Sequence, residues 1–262
     1  MPSNNTSNAN APGNRAREVF GRRAAYYVTS AVHTDPQVLA RIVELAAPEA
    51  DALALDIGTG TGHTAVALAP YLGAVLGLDL TPEMLAEAEV LRAQRGVDNV
   101  AWVLGDAHRL PVADGSLAVV ACRRAAHHFP DIGATLREMR RVLKAGGRLA
   151  IDDRGAPEDP DLDAIMNEMD LLHDPSHIRE YRPSEWAAML EWAGFVVDCV
   201  EVYTLHRPIS SLTEDVAPED VARIHALVEH MTPEQAAALH VEHKDGTVYF
   251  DHHYLLLGAH VA

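Results

Sequence analysis

A group of glycines and an acid near the start of the chain is the part of this sequence best suited to bind a ligand. The stretch LALDIGTGTGHTA runs from apolar residues through Asp56 to Gly58, Gly60 and Gly62. Glycine has no β-carbon, so such a turn lets the backbone approach a ligand closely, and the following helix points its N-terminus at that ligand. The residues around the glycines decide which ligand this is.

Two common phosphate-binding turns do not match this stretch. A phosphate-binding loop needs a lysine after its last glycine, and none follows Gly62. A dinucleotide-binding turn needs the spacing G-x-G-x-x-G, which would place its third glycine at His63. The Asp56 carboxylate would repel a pyrophosphate and favour a ligand that carries positive charge. The sequence therefore argues against a nicotinamide-dependent oxidoreductase.

The pattern D-x-G-x-G-x-G at residues 56–62 resembles the nucleotide-loop motif of class I S-adenosylmethionine-dependent methyltransferases. Their ligand carries an ammonium and a sulfonium, which suits an acid before the glycines. Downstream, DAHRLPVADGS at 106–116 resembles the branch of ubiquinone and menaquinone biosynthesis methyltransferases. The resemblance implies transfer of a methyl group from S-adenosylmethionine to a small-molecule acceptor by in-line displacement. A protein of the same fold that binds S-adenosylmethionine but catalyses another reaction is the alternative.

The resemblance also assigns residues to the cofactor. Asp79, at the end of the second predicted strand, would accept from both ribose hydroxyls, and Leu80 and Met84 would pack on the adenine. Asp106 would accept from the adenine amino group, and the Ala107 amide would meet a ring nitrogen. The full predicted set is Tyr27, His33, Asp56, Gly58, Thr59, Gly60, Asp79, Leu80, Met84, Gly105, Asp106, Ala107 and Arg123.

Histidines after the fourth predicted strand are the candidate catalytic residues. His127 and His128 would lie near the methyl group, and histidine titrates near neutral pH. A base is required only if the acceptor must lose a proton, and the other interpretation is that one of these histidines caps or packs against the next helix. His177, Arg179 and Tyr181 follow a predicted insertion helix and are candidate acceptor-binding residues, or simply polar residues of a surface loop.

We predict no metal site. His173 and His177 have the spacing of a helical metal-binding pair, but Pro175 between them interrupts a helix. His252 and His253 would point to opposite faces of a strand. The two cysteines of the chain are too few for a disulfide framework or a cysteine-rich metal site.

Apolar strand-like runs alternate with helical segments along most of the chain. This alternation predicts parallel strands joined by crossover helices, in a doubly wound α/β sheet. We expect a seven-stranded, mostly parallel, Rossmann-like class I methyltransferase sheet whose last strand is antiparallel. The predicted strands cover residues 52–57, 74–79, 100–104, 117–122, 147–153, 194–205 and 246–261.

The predicted organisation is one domain behind a short tail. Residues 1–14 are polar and predicted to be disordered, and residues 15–262 form a single methyltransferase domain. Cap helices at about 15–47 would cover the cofactor, and insertions at about 155–182 and 208–243 would form a lid over the acceptor. Apolar residues of the first insertion would help to shape the acceptor site: Leu162, Ile165 and Met166.

The composition limits the partners. The formal net charge of −17 disfavours nucleic acid, because contact with phosphates needs clustered lysine and arginine. The short basic run at 15–23 is interpreted as a solvated helix face. The sequence shows no apolar signal region and no apolar stretch long enough to span a bilayer, so we expect a cytoplasmic protein without a membrane partner. The oligomeric state does not follow from the sequence.

Overall fold

The computed structural model describes residues 12–262, which form an eight-stranded sheet with ten α-helices around it. The helices are α1 (Pro12–Thr29), α2 (Ala31–Thr34), α3 (Pro36–Ala46), α4 (His63–Leu68), α5 (Pro82–Arg95), α6 (Ile132–Val142), α7 (Pro160–His173), α8 (Pro183–Trp192), α9 (Pro218–Glu229) and α10 (Pro233–Ala238). The strands are β1 (Leu53–Ile57), β2 (Ala74–Asp79), β3 (Val100–Leu104), β4 (Leu117–Arg123), β5 (Leu143–Arg154), β6 (Phe195–Pro208), β7 (Glu242–Lys244) and β8 (Thr247–Val261).

The strand order confirms the predicted fold class. The sheet runs β3-β2-β1-β4-β5-β8-β6, and β1 to β5 are parallel to one another. The last strand, β8, lies antiparallel between β5 and β6. The order reverses beside β1, so the carboxyl ends of β1 and β4 border the crevice where ligands of such sheets bind.

One strand was missed by the sequence analysis. The short β7 pairs with the start of β8 through a hairpin whose two turn residues, Asp245 and Gly246, both have positive φ. Aspartate followed by glycine is a strong signal for this type of turn. The three residues of β7 are all exposed, so the strand has no apolar pattern that would reveal it.

The sheet is buried on both faces by separate apolar clusters. Alternate residues of β1 point to opposite faces, so that Leu55 and Ile57 pack with α6 and α8 while Ala54 packs with α3 and α4. A third cluster joins the two insertions, because α7 packs against α9. Leu162 and Met166 are buried in this third cluster, where they stabilise the insertions, and they line neither of the two cavities described below.

The N-terminal helices lie where a cap was predicted. Helix α1 packs against α5 and contributes side chains above the carboxyl ends of the strands. It begins at Pro12, within the stretch predicted to be a disordered tail, and the rest of that prediction, residues 1–11, lies outside the described residues. Among the described helices, none combines the length and the hydropathy needed to cross a membrane.

The packing of β8 provides a test of the fold. Leu257 is 1% exposed in the cluster beneath α6 and α8, so we expect Leu257→Ala to lower the free energy of unfolding by about 2–5 kcal/mol. Leu104→Ala, at a side chain that is 53% exposed on β3, is the matched control and should cost well under about 1 kcal/mol. Urea denaturation measures both, and equal losses would contradict the described core.

Candidate functional site

A cavity of about 450 Å³ lies over the carboxyl ends of β1 to β4 and beneath α1. Residues of the turns that follow these four strands line it, because the carboxyl ends of parallel strands lie at the same edge of the sheet. Nearly all of the predicted cofactor residues line it, namely Tyr27, His33, Gly58, Thr59, Gly60, Asp79, Leu80, Met84, Gly105, Asp106, Ala107 and Arg123.

Asp56 is the exception, because it lies beneath the glycine turn and does not line the cavity. Its side chain is 1% exposed, and Oδ2 accepts from the Thr59 hydroxyl at 2.6 Å and from the Ala65 amide at 3.1 Å. Burial raises the pKa of this carboxyl to about 7, against the opposing effect of these donors. Asp56 therefore anchors the turn to the start of α4, where the sequence had suggested direct contact with a ligand.

The three glycines of the turn are required for different steric reasons. All three have positive φ, a conformation that favours glycine. A β-carbon on Gly58 would lie 2.5 Å from the Ala125 Cβ, and one on Gly62 would lie 2.7 Å from the Trp102 ring. At Gly60, a β-carbon would meet no heavy atom of the described residues within 4 Å. Gly58 and Gly62 thus permit close packing of protein, and Gly60 borders open space in the cavity.

Asp79 connects the end of β2 to the glycine turn. Its Oδ2 accepts from the Gly60 amide at 2.8 Å, and its Oδ1 accepts from the Thr81 amide at 2.9 Å. Burial raises the pKa of this carboxyl, and the backbone donors oppose the rise. Since each carboxylate oxygen has two acceptor positions, Asp79 can still accept from hydroxyls of a ligand in the cavity.

Two more groups at the cavity have unused hydrogen-bonding capacity. Asp106 accepts from the His108 amide at 2.9 Å through Oδ1 only, which leaves Oδ2 available. Arg123 donates to the Thr64 hydroxyl at 2.9 Å and to the His33 carbonyl at 2.7 Å. Its Nη1 is buried and has no hydrogen-bond partner among the described residues. Burial lowers the pKa of Arg123.

A second cavity, of about 340 Å³, adjoins the first. The two share five lining residues, which define what we call the junction: Phe20, Tyr27, His33, Arg124 and His128. From the junction, the second cavity continues into the space that lies between α1, α7 and the ends of β5 and β8. The basic run of α1, predicted to be a solvated face, contributes Arg17 to the first cavity and Arg22 and Arg23 to the second.

The two candidate catalytic histidines lie at this second cavity. His127 Nδ1 is 2.5 Å from Asp153 Oδ1, and the His127 amide donates to Oδ2 of the same carboxylate at 2.9 Å. Burial, and then the nearby His128 and His177, lower the pKa of His127 well below its usual value. His128 lies at the junction with its Nδ1 3.1 Å from the Ser176 carbonyl, and its ring is 4.0 Å from that of His127.

Of the three predicted acceptor-binding residues, one lines a cavity. His177 borders the second cavity, and its Nε2 is 3.1 Å from Asn167 Oδ1. Arg179 donates to Asp163 at 2.8 Å and to Glu185 at 3.0 Å, so acids on α7 and α8 hold it away from both cavities.

Tyr181 is likewise absent from both cavity walls. Its ring packs on Trp186 with the ring centroids 5.6 Å apart, on the side of the loop where α8 begins. The structure thus places Arg179 and Tyr181 outside both cavity walls, and a role for them in acceptor binding stays a prediction. The sequence shows that the loop is polar, but it does not show which of its side chains turn toward α8.

Arginine and tyrosine side chains complete the second cavity. Arg124 donates to Asp152 at 2.8 Å and to the Tyr203 hydroxyl at 2.7 Å, and its guanidinium lies 3.8 Å from the centre of the Tyr254 ring. Arg124 also has a positive φ of 55°, which is uncommon outside glycine and is found at functional sites. The buried Tyr254 hydroxyl has no hydrogen-bond partner among residues 12–262.

Comparisons with known proteins identify the family. Residues 55–151 match the model of a methyltransferase domain. The uncharacterized methyltransferase YcgJ of Bacillus subtilis is 42% identical over 170 residues, which cover 65% of this chain and 67% of YcgJ. The crystal structure of YcgJ superposes with a TM-score of 0.81 at 33% identity, over 86% of this chain and 98% of that one.

The chain belongs to the class I S-adenosylmethionine-dependent methyltransferases.

This membership confirms the family resemblance and removes the oxidoreductase alternative. A demethylmenaquinone methyltransferase of Roseiflexus is 38% identical to this chain over 129 residues. The match covers 48% of this chain and 52% of that relative. The match therefore spans about half of the relative's length and carries the resemblance to the menaquinone branch.

Several residues of the methyltransferase site were missed from the sequence. Asp153 and Arg154 end β5, and Tyr254 lies opposite Arg154 in the antiparallel register of β8. Because β8 runs against its neighbours, its N-terminal half lies at the same edge as the carboxyl ends of β1 to β5. That reasoning could have placed Tyr254 at the site, whereas Phe20 of α1 has no such signal.

The glycine turn of the methyltransferase can be tested by paired substitutions. Gly58→Ala introduces both positive-φ strain and a clash with Ala125, whereas Gly60→Ala introduces strain without a clash. We expect Gly60→Ala to cost about 1–2 kcal/mol of unfolding free energy and Gly58→Ala about 1–3 kcal/mol more. Adding Ala125→Gly should recover that second increment, as measured by urea denaturation. No recovery would contradict the described contact.

Proposed function

We propose that this methyltransferase binds S-adenosylmethionine in the first cavity and transfers its methyl group to a small molecule in the second. The observation that carries this proposal is that the two cavities meet at the junction. The first cavity collects the residues that the family resemblance assigns to the cofactor. The second is of a size that suits a small ligand, since such sites are typically about 300–1,000 Å³.

The groups left unpaired at the first cavity match the chemistry of S-adenosylmethionine. The unpartnered Nη1 of Arg123 is a donor for the methionine carboxylate. Asp79 has acceptor capacity for the ribose hydroxyls, and Oδ2 of Asp106 has it for the adenine amino group. Met84 and Leu80 provide apolar contact for the adenine ring. The three polar assignments rest on hydrogen-bonding positions that the described residues leave unused.

Asp56 acts indirectly in this proposal. By holding Thr59 and the first turn of α4, it fixes the backbone of the glycine turn against which the cofactor would lie. The bound cofactor supplies an electrophilic methyl group. The protein's task is then to align an acceptor with that group, which two adjoining cavities under α1 allow.

Junction residues would enclose the point of transfer. The Tyr27 ring packs edge-on against His33 with a centroid distance of 4.8 Å, and Phe20 packs edge-on against His128 at the same distance. These contacts connect α1 and α2 with the segment after β4 around one opening. A small acceptor fits this arrangement better than a nucleic acid, and the net charge of −17 agrees.

Asp79 provides a test of the cofactor site. Asp79→Asn should weaken the binding of S-adenosylhomocysteine about 10- to 100-fold, because hydrogen bonds to a charged acceptor contribute about 1.5–3 kcal/mol. Asp98→Asn, an equal charge change at an exposed residue between α5 and β3, should leave the affinity unchanged. Isothermal calorimetry measures both dissociation constants. Equal affinities in the two variants would contradict the assignment of Asp79.

Ser211 provides a test of the acceptor site. It lines the second cavity only, so Ser211→Trp should fill that cavity and leave cofactor binding intact. The neighbouring Ser210→Trp places the same bulk on an exposed side chain and is the control. With an isotope-labelled methyl donor and a polar metabolite extract, Ser211→Trp should lower label transfer at least about tenfold.

Two results of this assay would count against the proposal. If the wild-type protein binds the donor but moves no label, methyl transfer to a small molecule is wrong. If Ser211→Trp transfers label as fast as Ser210→Trp, the acceptor does not occupy the second cavity.

A further inference from the structure

The carboxylate of Asp153 accepts from two backbone N–H groups at the second cavity and faces a ring nitrogen of His127. Its Oδ1 accepts from the Arg154 amide at 2.8 Å and lies 2.5 Å from His127 Nδ1. Its Oδ2 accepts from the His127 amide at 2.9 Å. The side chain is 1% exposed, and burial raises its pKa to about 6. Above that pH the group is an anion, whose charge these N–H donors stabilise.

An anionic Asp153 decides which nitrogen of His127 carries the proton. An ionised carboxylate can only accept hydrogen bonds, so Nδ1 of His127 must be the donor. The neutral imidazole then has its lone pair on Nε2. His127 Nε2 has no hydrogen-bond partner among the described residues, and His127 lines the second cavity.

The position of His127 connects this lone pair to the point of transfer. Its ring lies 4.0 Å from the ring of His128, which lines both cavities at the junction. The amides of Ile178 and Arg179 both donate to the His127 carbonyl, at 2.9 and 3.1 Å. The loop after α7 thus fixes the backbone of His127 while Asp153 fixes its ring.

We propose that His127 and Asp153 form a general-base pair and that the acceptor is protic, an O–H or N–H group that must lose a proton as it is methylated. This inference rests on the function proposed above. Asp153 would not touch the acceptor and is a positioning residue, which orients the imidazole and stabilises its positive charge after proton transfer. The arrangement is that of a histidine base oriented by a buried carboxylate.

Proton transfer and methyl transfer would take place at the same acceptor atom. The acceptor O–H or N–H bond breaks, and its proton goes to Nε2 of His127. The freed electron pair of the acceptor atom forms the new bond to the methyl carbon. The bond between methyl and sulfur breaks with its electron pair remaining on sulfur, which turns the sulfonium into a neutral thioether. The imidazolium later releases its proton to water.

The charges around the pair favour the required protonation states. Basic groups near His127 and Asp153 come from three segments, namely Arg124 and His128 after β4, Arg154 on β5, and His177 after α7. The acid Asp170 on α7 also lies near His127. Burial and these neighbours keep His127 neutral at neutral pH, so Nε2 can accept a proton. As pH falls through about 6, Asp153 becomes protonated and the pair is lost. Methyl transfer should therefore decline on the acid side of about pH 6.

Nuclear magnetic resonance of ¹⁵N-histidine protein tests the geometry without any turnover. We expect His127, assigned by its absence in His127→Gln, to carry its proton on Nδ1 between about pH 7 and 9. Asp153→Ala removes the acceptor that faces Nδ1, so the ring should shift toward the Nε2–H form. An Nε2–H tautomer in the wild-type protein would overturn the proposal.

Chemical rescue tests the base role. With the labelled donor and metabolite extract, His127→Ala should lower label transfer about 100-fold, the lower limit typical of general-base catalysis. Added imidazole should restore part of the rate, in proportion to its neutral form. His230→Ala, at an exposed histidine between α9 and α10, should match the wild type with and without imidazole. Calorimetry with S-adenosylhomocysteine confirms that each variant is folded.

Other outcomes of the rescue experiment overturn the pair. If His127→Ala keeps a rate within about threefold of the wild type, no base is needed at this position. If the rate falls but imidazole restores nothing, His127 has a structural role only. A wild-type protein that transfers no label would refute the function proposed above, while the tautomer measurement would still decide whether Asp153 orients His127.

Discussion

Two buried carboxylates hold the glycine turn, and the rest of the site depends on this constraint. Asp56 on β1 binds the Thr59 hydroxyl and the Ala65 amide, and Asp79 on β2 binds the Gly60 amide. The turn is therefore tied both to the helix that follows it and to the neighbouring strand. A backbone with positive φ at alternate residues would otherwise have many conformations. Held in this way, it forms one wall of the first cavity.

The same edge of the sheet also organises the second cavity. Parallel strands β1 to β5 deliver Asp79, Arg124 and Asp153 to one side, and the antiparallel β8 brings Tyr254 there from the opposite direction. Helix α1 covers both cavities. Phe20 and the other junction residues line the opening through which the two cavities meet. The methyltransferase family requires a place where donor and acceptor meet on one line. We propose that the junction is that place.

The fold, and the grouping of the candidate cofactor residues in one cavity, were predictable because both depend on local patterns in the sequence. The alternation of strands and helices predicted the parallel sheet, and twelve of the thirteen predicted cofactor residues line one cavity. The acceptor side was not predictable in the same way. Arg179 pairs with acids from two helices, and Asp153 reaches His127 from another strand. Such contacts depend on how distant segments pack, which no local pattern records.

The central claim is that the donor lies in the first cavity with its reactive end at the junction. A crystal structure with S-adenosylhomocysteine tests this claim most directly. We predict the ribose against Asp79, the carboxylate near Arg123, and the sulfur at the opening between the two cavities. A ligand bound outside the first cavity, or with its sulfur turned away from the second, would contradict the account.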